Sequence, residues 1–383
     1  MPWMVPEARL DPNQRDFLQA YDRNSDKNYW VKGFAGSGKS VLVVHAAIRA
    51  LQDNPGLKIC IVLFTHSLID LFRTGLPEDL PDIPVMTYYR FKKHTQQYDL
   101  ILVDEVQDLP ADVLSKLKAH SKRLIVAGDE AQSIYDNRVA PEEIEQLADA
   151  EPYTLTILHR LTQKIIDVAS NIFPDKQLDK AKKSRLKNVE VVVAEAEESD
   201  DEVAYVWENA VQNAVPGKPV AVLLPKRGLI TQFANQVLAR EGKPSWNPTL
   251  NTYGKTDFGA MNAHLERQEV RLQYIGNSYG SLATTEQTGY VVLMTYHSAK
   301  GLDFETVFLP FLTDSLTIWR SDEARARTLF YVALTRSRLN LFLTHTGHPH
   351  RFVRDIPDRL VRKMSVPLPR VDQQTTSEED ILF

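Results

Sequence analysis

Short apolar, β-branched or aromatic runs recur at residues 29–33, 58–64, 83–87, 99–104 and 123–128, and several intervals between them space their apolar residues at helical period. Runs of this kind, without polar alternation, read as strands covered on both faces. Strands alternating with helices predict an α/β fold with a parallel, doubly wound sheet. A second series follows at Val189–Ala194, Val220–Leu224, Val270–Tyr274, Val291–Thr295, Val307–Phe311 and Leu339–Thr344, and predicts a second sheet of the same kind. The first series gives out after a helical pattern that ends around Ala150, which puts a domain boundary near 150–160. Residues 1–155 are expected to form one unit and 156–365 another. Residues 366–383 are proline-containing, then polar and acidic, and are expected to be disordered.

A chain of 383 residues is long enough for two such domains, each with its own core. Its net charge of -5 means that any basic surface for a polyanion must be local. Apolar runs fall short of the roughly 18 residues a membrane helix needs, and the start MPWMVPEARL lacks a signal-peptide pattern. Cys60 is the only cysteine, so neither an internal disulfide nor a cysteine metal cluster is available. A cytoplasmic protein without membrane contact is expected.

The chemistry concentrates where two strands end. After Tyr29, Trp30 and Val31 comes the loop Gly33, Phe34, Ala35, Gly36, Ser37, Gly38, Lys39, Ser40. Its glycines permit positive-φ turns that aim successive backbone N–H groups at a phosphate chain, and the helix starting at Lys39 adds its N-terminal dipole. Lys39 is placed to reach the β- and γ-phosphates and the Ser40 hydroxyl to hold Mg²⁺. At the end of the apolar run Leu100–Val103 stand Asp104 and Glu105. Adjacent carboxylates there would be ordinary turn residues if they stood alone. Beside a phosphate loop, Asp104 can hold Mg²⁺ through its water shell and Glu105 can orient and deprotonate an attacking water.

The stretch DEVQD (Asp104 to Asp108) resembles motif II of the UvrD/Rep-like branch of superfamily 1 helicases. Other stretches follow in that family's order: Leu10, Pro12, Asn13 and Gln14 are similar to the Q motif, LFTHSL (63–68) to motif Ia, and TYYRF (87–91) to the next DNA-contacting segment. VAGDEAQSIY (126–135) resembles motif III, ILHR (157–160) motif IV, TYHSAKGLDF (295–304) motif V and YVALTRSR (331–338) motif VI. The resemblance implies two RecA-like P-loop NTPase domains with ATP and Mg²⁺ in the cleft between them. It implies that Gln14 clamps the adenine, Gln132 senses the γ-phosphate, and Gly301 and Asp303 of motif V line the nucleotide site, Asp303 near the ribose. Arg160 and Arg336 lie beyond the first half of the chain. An ATPase needs such guanidinium groups to neutralise the transferred phosphoryl, and their arrival from a second domain would couple hydrolysis to closure.

Single-stranded DNA, with RNA as an open alternative, is expected across the tops of both domains, at Phe64, Thr65, His66, Thr87, Tyr88, Tyr135, Thr295 and His297. For Phe64 and Tyr88 the competing reading is core packing. The basic stretches Lys176–Lys187 and Arg351 to Lys363 are either phosphate guides or solvated surface. Three departures from the family matter. The tryptophan expected after Tyr135 is replaced by Asp136 and Asn137, the adenine-stacking tyrosine before Arg160 is His159, and the large helical insertions are missing. Leu68–Thr87 is too short for one, and Trp246–Glu269 has room only for a small subdomain or an elaborate loop. The resemblance therefore implies an ATP-dependent single-stranded DNA translocase or helicase, 3′-to-5′, in repair, replication or recombination. The alternative is a nucleic-acid-sensing ATPase switch that controls a partner nuclease or effector without processive unwinding. The ending SEEDILF is similar to the acidic tip of bacterial single-stranded DNA-binding proteins and suggests a protein partner, against a plain solubilising tail.

Overall fold

The computed structural model of the chain describes residues 3–93, 96–134, 139–178, 189–276, 278–320 and 322–366. Within them are two wholly parallel sheets, as the alternation predicts. The first contains β1 (Asn28–Gly33), β2 (Ile59–Leu63), β3 (Val85–Thr87), β4 (Tyr98–Val103), β5 (Ser121–Gly128) and β6 (Ala150–Leu155), in the order β3-β2-β4-β5-β1-β6. The second contains β7 (Val191–Ala196), β8 (Val220–Leu224), β9 (Leu272–Tyr274), β10 (Val291–Thr295), β11 (Phe304–Leu309), β12 (Ser337–Thr346) and β13 (Val361–Ser365), in the order β13-β7-β12-β11-β8-β10-β9. Edge strands β6 and β13 lie outside the predicted series.

Alternation along the strands sorts the core into layers. In the first sheet Trp30, Cys60, Val62, Ile101, Val103 and Val126 face one cluster, closed by the helix Ala111–Ala119. Tyr29, Val31, Ile61, Leu63, Leu102 and Ile125 face the other way. That second cluster does not stop at the first sheet. It runs on through Leu158, Leu161 and Ile165 to Val193, Leu223, Met294, Val307 and Leu343 of the second sheet, so the two sheets share one apolar layer. The far side of the second sheet has its own cluster, around Val222, Phe233, Leu238 and Phe308.

Cys60 is fully buried, and burial pushes its thiol up to about 12, as expected of a small core residue. The arginines 351 to 362 read as ordinary solvated surface where partners are seen: Arg351 pairs with Glu323, Arg354 with Asp355, and neighbouring Lys363 with Asp358 at 2.7 Å. Of the basic stretch 176–187, Lys176 bonds Thr328 Oγ1 at 3.3 Å, and residues 179–187 lie outside the described residues. So does the tail 367–383.

Glu202, on the helix Ser199–Asn213, is fully buried. Its Oε1 accepts from the backbone N–H of Phe311 and the hydroxyl of Thr344, stitching the helix to the ends of β11 and β12, while Oε2 has no partner. Burial raises its pKa above the ordinary 4.5. A carboxyl raised on folding contributes fully below its unfolded pKa, and that contribution is lost as pH rises through the folded value. Glu202→Gln is therefore expected to melt above the parent chain at pH 8, with the difference closing toward pH 4; melting curves across that range check it.

Candidate nucleotide site between the two sheets

The phosphate loop leaves β1 at Gly33 and enters the helix Lys39–Asp53, with Gly38 as its N-cap. Gly36 and Gly38 take φ of +78° and +87°, which only glycine adopts freely. Space gives a second reason for them. A Cβ at Gly36 would meet Arg160 Cβ at 2.9 Å, and one at Gly38 would meet Gln14 Nε2 at 2.3 Å. Lys39 is buried, its ammonium donating to the carbonyls of Gly33 at 2.9 Å and Phe34 at 3.1 Å. Gln14, in a capping box with Asp11 at the start of the helix Pro12–Arg23, donates to Ser37 O at 3.0 Å.

Asp104 and Glu105 follow β4, which is separated from β1 by β5. Ser40 Oγ donates to Asp104 Oδ2 at 2.6 Å, bringing together the two residues predicted to hold the metal. Burial, reinforced by the charge of Glu105, pushes Asp104 up to about 6. Glu105 has a φ of +57°, a strained backbone for a side chain of this size, and accepts a hydrogen bond from Gln107 Nε2. Burial alone would raise its pKa, but the cations of Lys300 and Lys39 outweigh it and hold the carboxyl below the usual range. A depressed pKa keeps Glu105 ionised and able to accept a proton.

The second sheet supplies the other wall. Arg336, buried just before β12, donates to the carbonyls of Val332 and Leu302, and its Nη2 reaches Gln132 Oε1 at 2.9 Å. Gln132 in turn donates to Asp129. Arg160 comes from neither sheet but from the segment leaving β6. The backbone N–H of His159 binds Gly36 O at 3.0 Å, and Arg160 Nη1 binds Asp303 Oδ1 at 2.6 Å. Asp303 was expected beside the ribose, yet its other oxygen takes Arg338 Nε at 3.2 Å. It is an anchor for two arginines, and a ribose hydroxyl would have to compete with both. Gly301 takes φ +80°, and a Cβ there would meet Leu68 Cδ2 at 2.9 Å and stand 3.4 Å from Glu105 Oε1.

Sequence reasoning missed Lys300. Its ammonium, fully buried, crosses between the sheets to Asp108 and the carbonyl of Gln132, and stands 3.8 Å from Glu105 Oε2. Burial raises Asp108 to about 6 despite this partner. Both residues sit inside motif-like stretches, so a charge in each was the available signal.

Two cavities adjoin this machinery. A small one of about 30 Å³ is lined by Ala35, Gly36, Gly38, Lys39, Ser40, Glu105, Gln132, Arg160, Gly301 and Arg336. A larger one of about 410 Å³ opens beside it among Trp3, Val5, Gln14, Val41, His159, Arg160 and Arg338. His159 turns its Nε2 to Asp11 Oδ2 at 2.5 Å, so the ring replacing the expected tyrosine is held in place. The residues fit a magnesium nucleotide: the glycines clear the cradle, Ser37 Oγ is buried without a partner, and Ser40 and Asp104 offer hard oxygen donors. For a triphosphate to enter, Lys39 must release the two loop carbonyls.

The nucleic-acid candidates divide. Phe64 and Thr65 are half-buried and His66 is exposed, whereas Thr87, Tyr88 and Thr295 are buried. Thr295 spends its hydroxyl on Ser298. His297 is half-buried, 5.5 Å from the Trp319 ring, and burial with Lys300 and Arg227 holds its pKa down to about 4. Tyr135 and the replaced tryptophan position lie outside the described residues. The exposed ring is Tyr89, which sequence reasoning passed over: Phe64 stacks on Tyr88 at 5.1 Å, and Tyr88 meets Tyr89 in a tilted contact at 4.1 Å, the last ring being 66 % exposed.

Two parallel RecA-like sheets with a phosphate loop on the first and arginines closing from beyond it define a P-loop nucleotide-binding protein. A family model of the UvrD-like helicase C-terminal domain matches residues 266–348, and one of the viral superfamily 1 RNA helicase core domain matches residues 29–213. The two matched segments are each similar to a helicase domain, in keeping with the resemblance that the motif order carries. A probable DNA helicase II homolog of Rickettsia conorii is 34% identical over 100 residues, covering 21% of this chain and 15% of that protein. The ATP-dependent DNA helicase PcrA of Staphylococcus aureus is 35% identical over 94 residues, 20% of this chain and 13% of that one. The matched region is thus a small part of these curated relatives. The solved structure of PRRSV helicase overlays 89% of this chain and 57% of its own at 17% identity, with a TM-score of 0.44.

Lys300→Met is expected to destabilise the chain by about 3 to 5 kcal/mol, because it strands Asp108 in a dry interface. Adding Asp108→Asn should recover part of the loss, which denaturant unfolding of the single and double variants measures.

Proposed function

We propose that the chain is an ATP-driven motor that moves on single-stranded nucleic acid, DNA in the first instance. The observation that carries this reading is the convergence of Glu105, Gln132, Arg160 and Arg336 on one small cavity beside Lys39. Glu105 accepts the proton of the attacking water, while Lys39, Arg160 and Arg336 offset charge on the transferred phosphoryl. Mg²⁺, held by Ser40 and Asp104, would neutralise charge on the β- and γ-oxygens when bound. No helix among the described residues is long and apolar enough to cross a membrane, and a cytoplasmic motor is in keeping with that.

Coupling follows from one stretch of chain. Residues 296–303 run from the carboxyl end of β10, where Thr295 and His297 stand, to the amino end of β11, passing Lys300, Gly301 and Asp303 on the way. Movement of the second sheet against the nucleotide is thereby movement of the nucleic-acid face. On the first sheet Tyr89 presents a ring for stacking, with exposed Arg90 and Lys93 beside it for phosphates. The 3′-to-5′ direction, and a role in repair, replication or recombination, rest on family resemblance. The switch reading draws on the short connection from the helix Ser67–Gly75 to β3, where the larger relatives carry an insertion.

Steady-state ATP hydrolysis, with and without single-stranded DNA, RNA or blunt duplex, separates the two. A rate that rises with oligonucleotide length is expected of the motor; hydrolysis indifferent to every nucleic acid, with ATP still bound, favours the switch. Glu105→Gln should cut the stimulated rate by about 10² to 10⁴ while ATP binding persists. Tyr89→Ala should weaken single-strand binding by about 1 to 3 kcal/mol, read by fluorescence titration, and leave basal hydrolysis unchanged.

A further inference from the structure

We infer that the indole of Trp3 is the surface on which the nucleotide base stacks. This inference rests on the nucleotide reading of the site and deepens it, by drawing the stacking ring from outside the stretches that resemble family motifs. The resemblance puts that ring one position before Arg160, and His159 stands there instead, its imidazole held by Asp11 Oδ2. The cavity of about 410 Å³ falls in the range of small-molecule sites, roughly 300 to 1,000 Å³. Gly38 and Arg160 line both it and the small cavity at the phosphate loop. A nucleotide whose phosphates occupy the loop therefore extends its base into the larger space. Apolar surface there comes from Trp3, Val5, Val41 and Leu339, and among the described residues that line it Trp3 is the one large ring.

A stacking ring serves best when it is already in place, because order present beforehand need not be imposed on binding. Three contacts fix Trp3. Its Nε1 donates to Thr74 Oγ1 at 3.1 Å, its ring centre lies 5.5 Å from that of Phe72, and the backbone of Gly75 runs so close that a Cβ there would meet Trp3 Cζ2 at 2.5 Å. All three partners belong to the helix Ser67–Gly75. The segment that carries Trp3 is tied in turn to the helix of the phosphate loop: His45 Nε2 donates to Val5 O at 2.8 Å, and Arg49 pairs with Glu7. Trp3 nevertheless stays half-buried, so the indole keeps surface for a ligand. It offers a purine a larger π-face than the imidazole of His159 does. Gln14 complements it from the edge. Its Oε1 accepts from the backbone N–H of Asp11 at 3.1 Å and its Nε2 donates to Ser37 O, which leaves one N–H and one lone pair of the carboxamide for the base.

The test uses the full chain with two ligands in the presence of Mg²⁺: ADP, and inorganic tripolyphosphate, which fills a phosphate cradle and has no base. Trp3→Ala is expected to weaken ADP binding at least tenfold and to leave tripolyphosphate binding within twofold of the parent, read by calorimetric titration. ADP should also quench the tryptophan emission of the parent. That quench should vanish in Trp3→Phe, which keeps a ring against Phe72 and leaves the other four of the five tryptophans in place. A merely structural side chain would not produce this pair of signatures. Equal losses for both ligands, unchanged ADP binding in Trp3→Ala, or a quench that is absent from the parent or survives in Trp3→Phe overturns the stacking and leaves the motor reading standing. A parent chain that binds neither ligand overturns the nucleotide reading, and the stacking with it.

Discussion

The arrangement of the molecule turns on one buried cation. Lys300 belongs to the second sheet's crossing segment, yet its partners Asp108, Glu105 and the Gln132 carbonyl belong to the first. An ammonium out of water is tolerated only with such partners, so the segment has one stable position relative to the catalytic carboxylates. Gly301 and Asp303 follow within three residues and inherit that position. Through Asp303 it passes to Arg160 and Arg338. The same charge, with Lys39, keeps Glu105 ionised against the cost of its burial. Placement of the second wall and readiness of the base thus have a common origin.

Central strands were legible because each is an apolar run covered on both faces. β6 and β13 were not, for the same physical reason in reverse. β6 (AEPYTL) includes Pro152 and exposed Glu151, and β13 (VRKMS) includes Arg362 and Lys363. Each pairs along one side only and needs no continuous apolar run. The other two edge strands, β3 and β9, were legible because their residues are largely apolar and buried, so the rule recognises burial and not position in the sheet.

The candidate site divides along a similar line. The phosphate loop, Ser40 with Asp104, and Glu105 are local patterns at strand ends, and the structure brings them together. What sequence could not supply is partner choice across long separations. Asp303 pairs with arginines where a ribose contact was expected, and Lys300 reaches a carboxylate 192 positions away. Tyr88 and Tyr89 show the limit at its narrowest. The chain changes there from strand to a short helix, so the side that faces the core shifts by one residue, and the ring left in solvent is the second of the pair.

The apolar layer common to both sheets limits how the halves can move. Swinging them apart would wet side chains such as Leu158, Leu161 and Leu223, all within one continuous cluster, and apolar surface costs about 25 cal/mol for each Å² exposed. Sliding leaves most of that contact intact. Shear, the small lateral slip of packed layers, therefore costs less than the opening of a jaw. The same continuity ties their fates on heating. Neither half can lose its tertiary packing without uncovering part of the other.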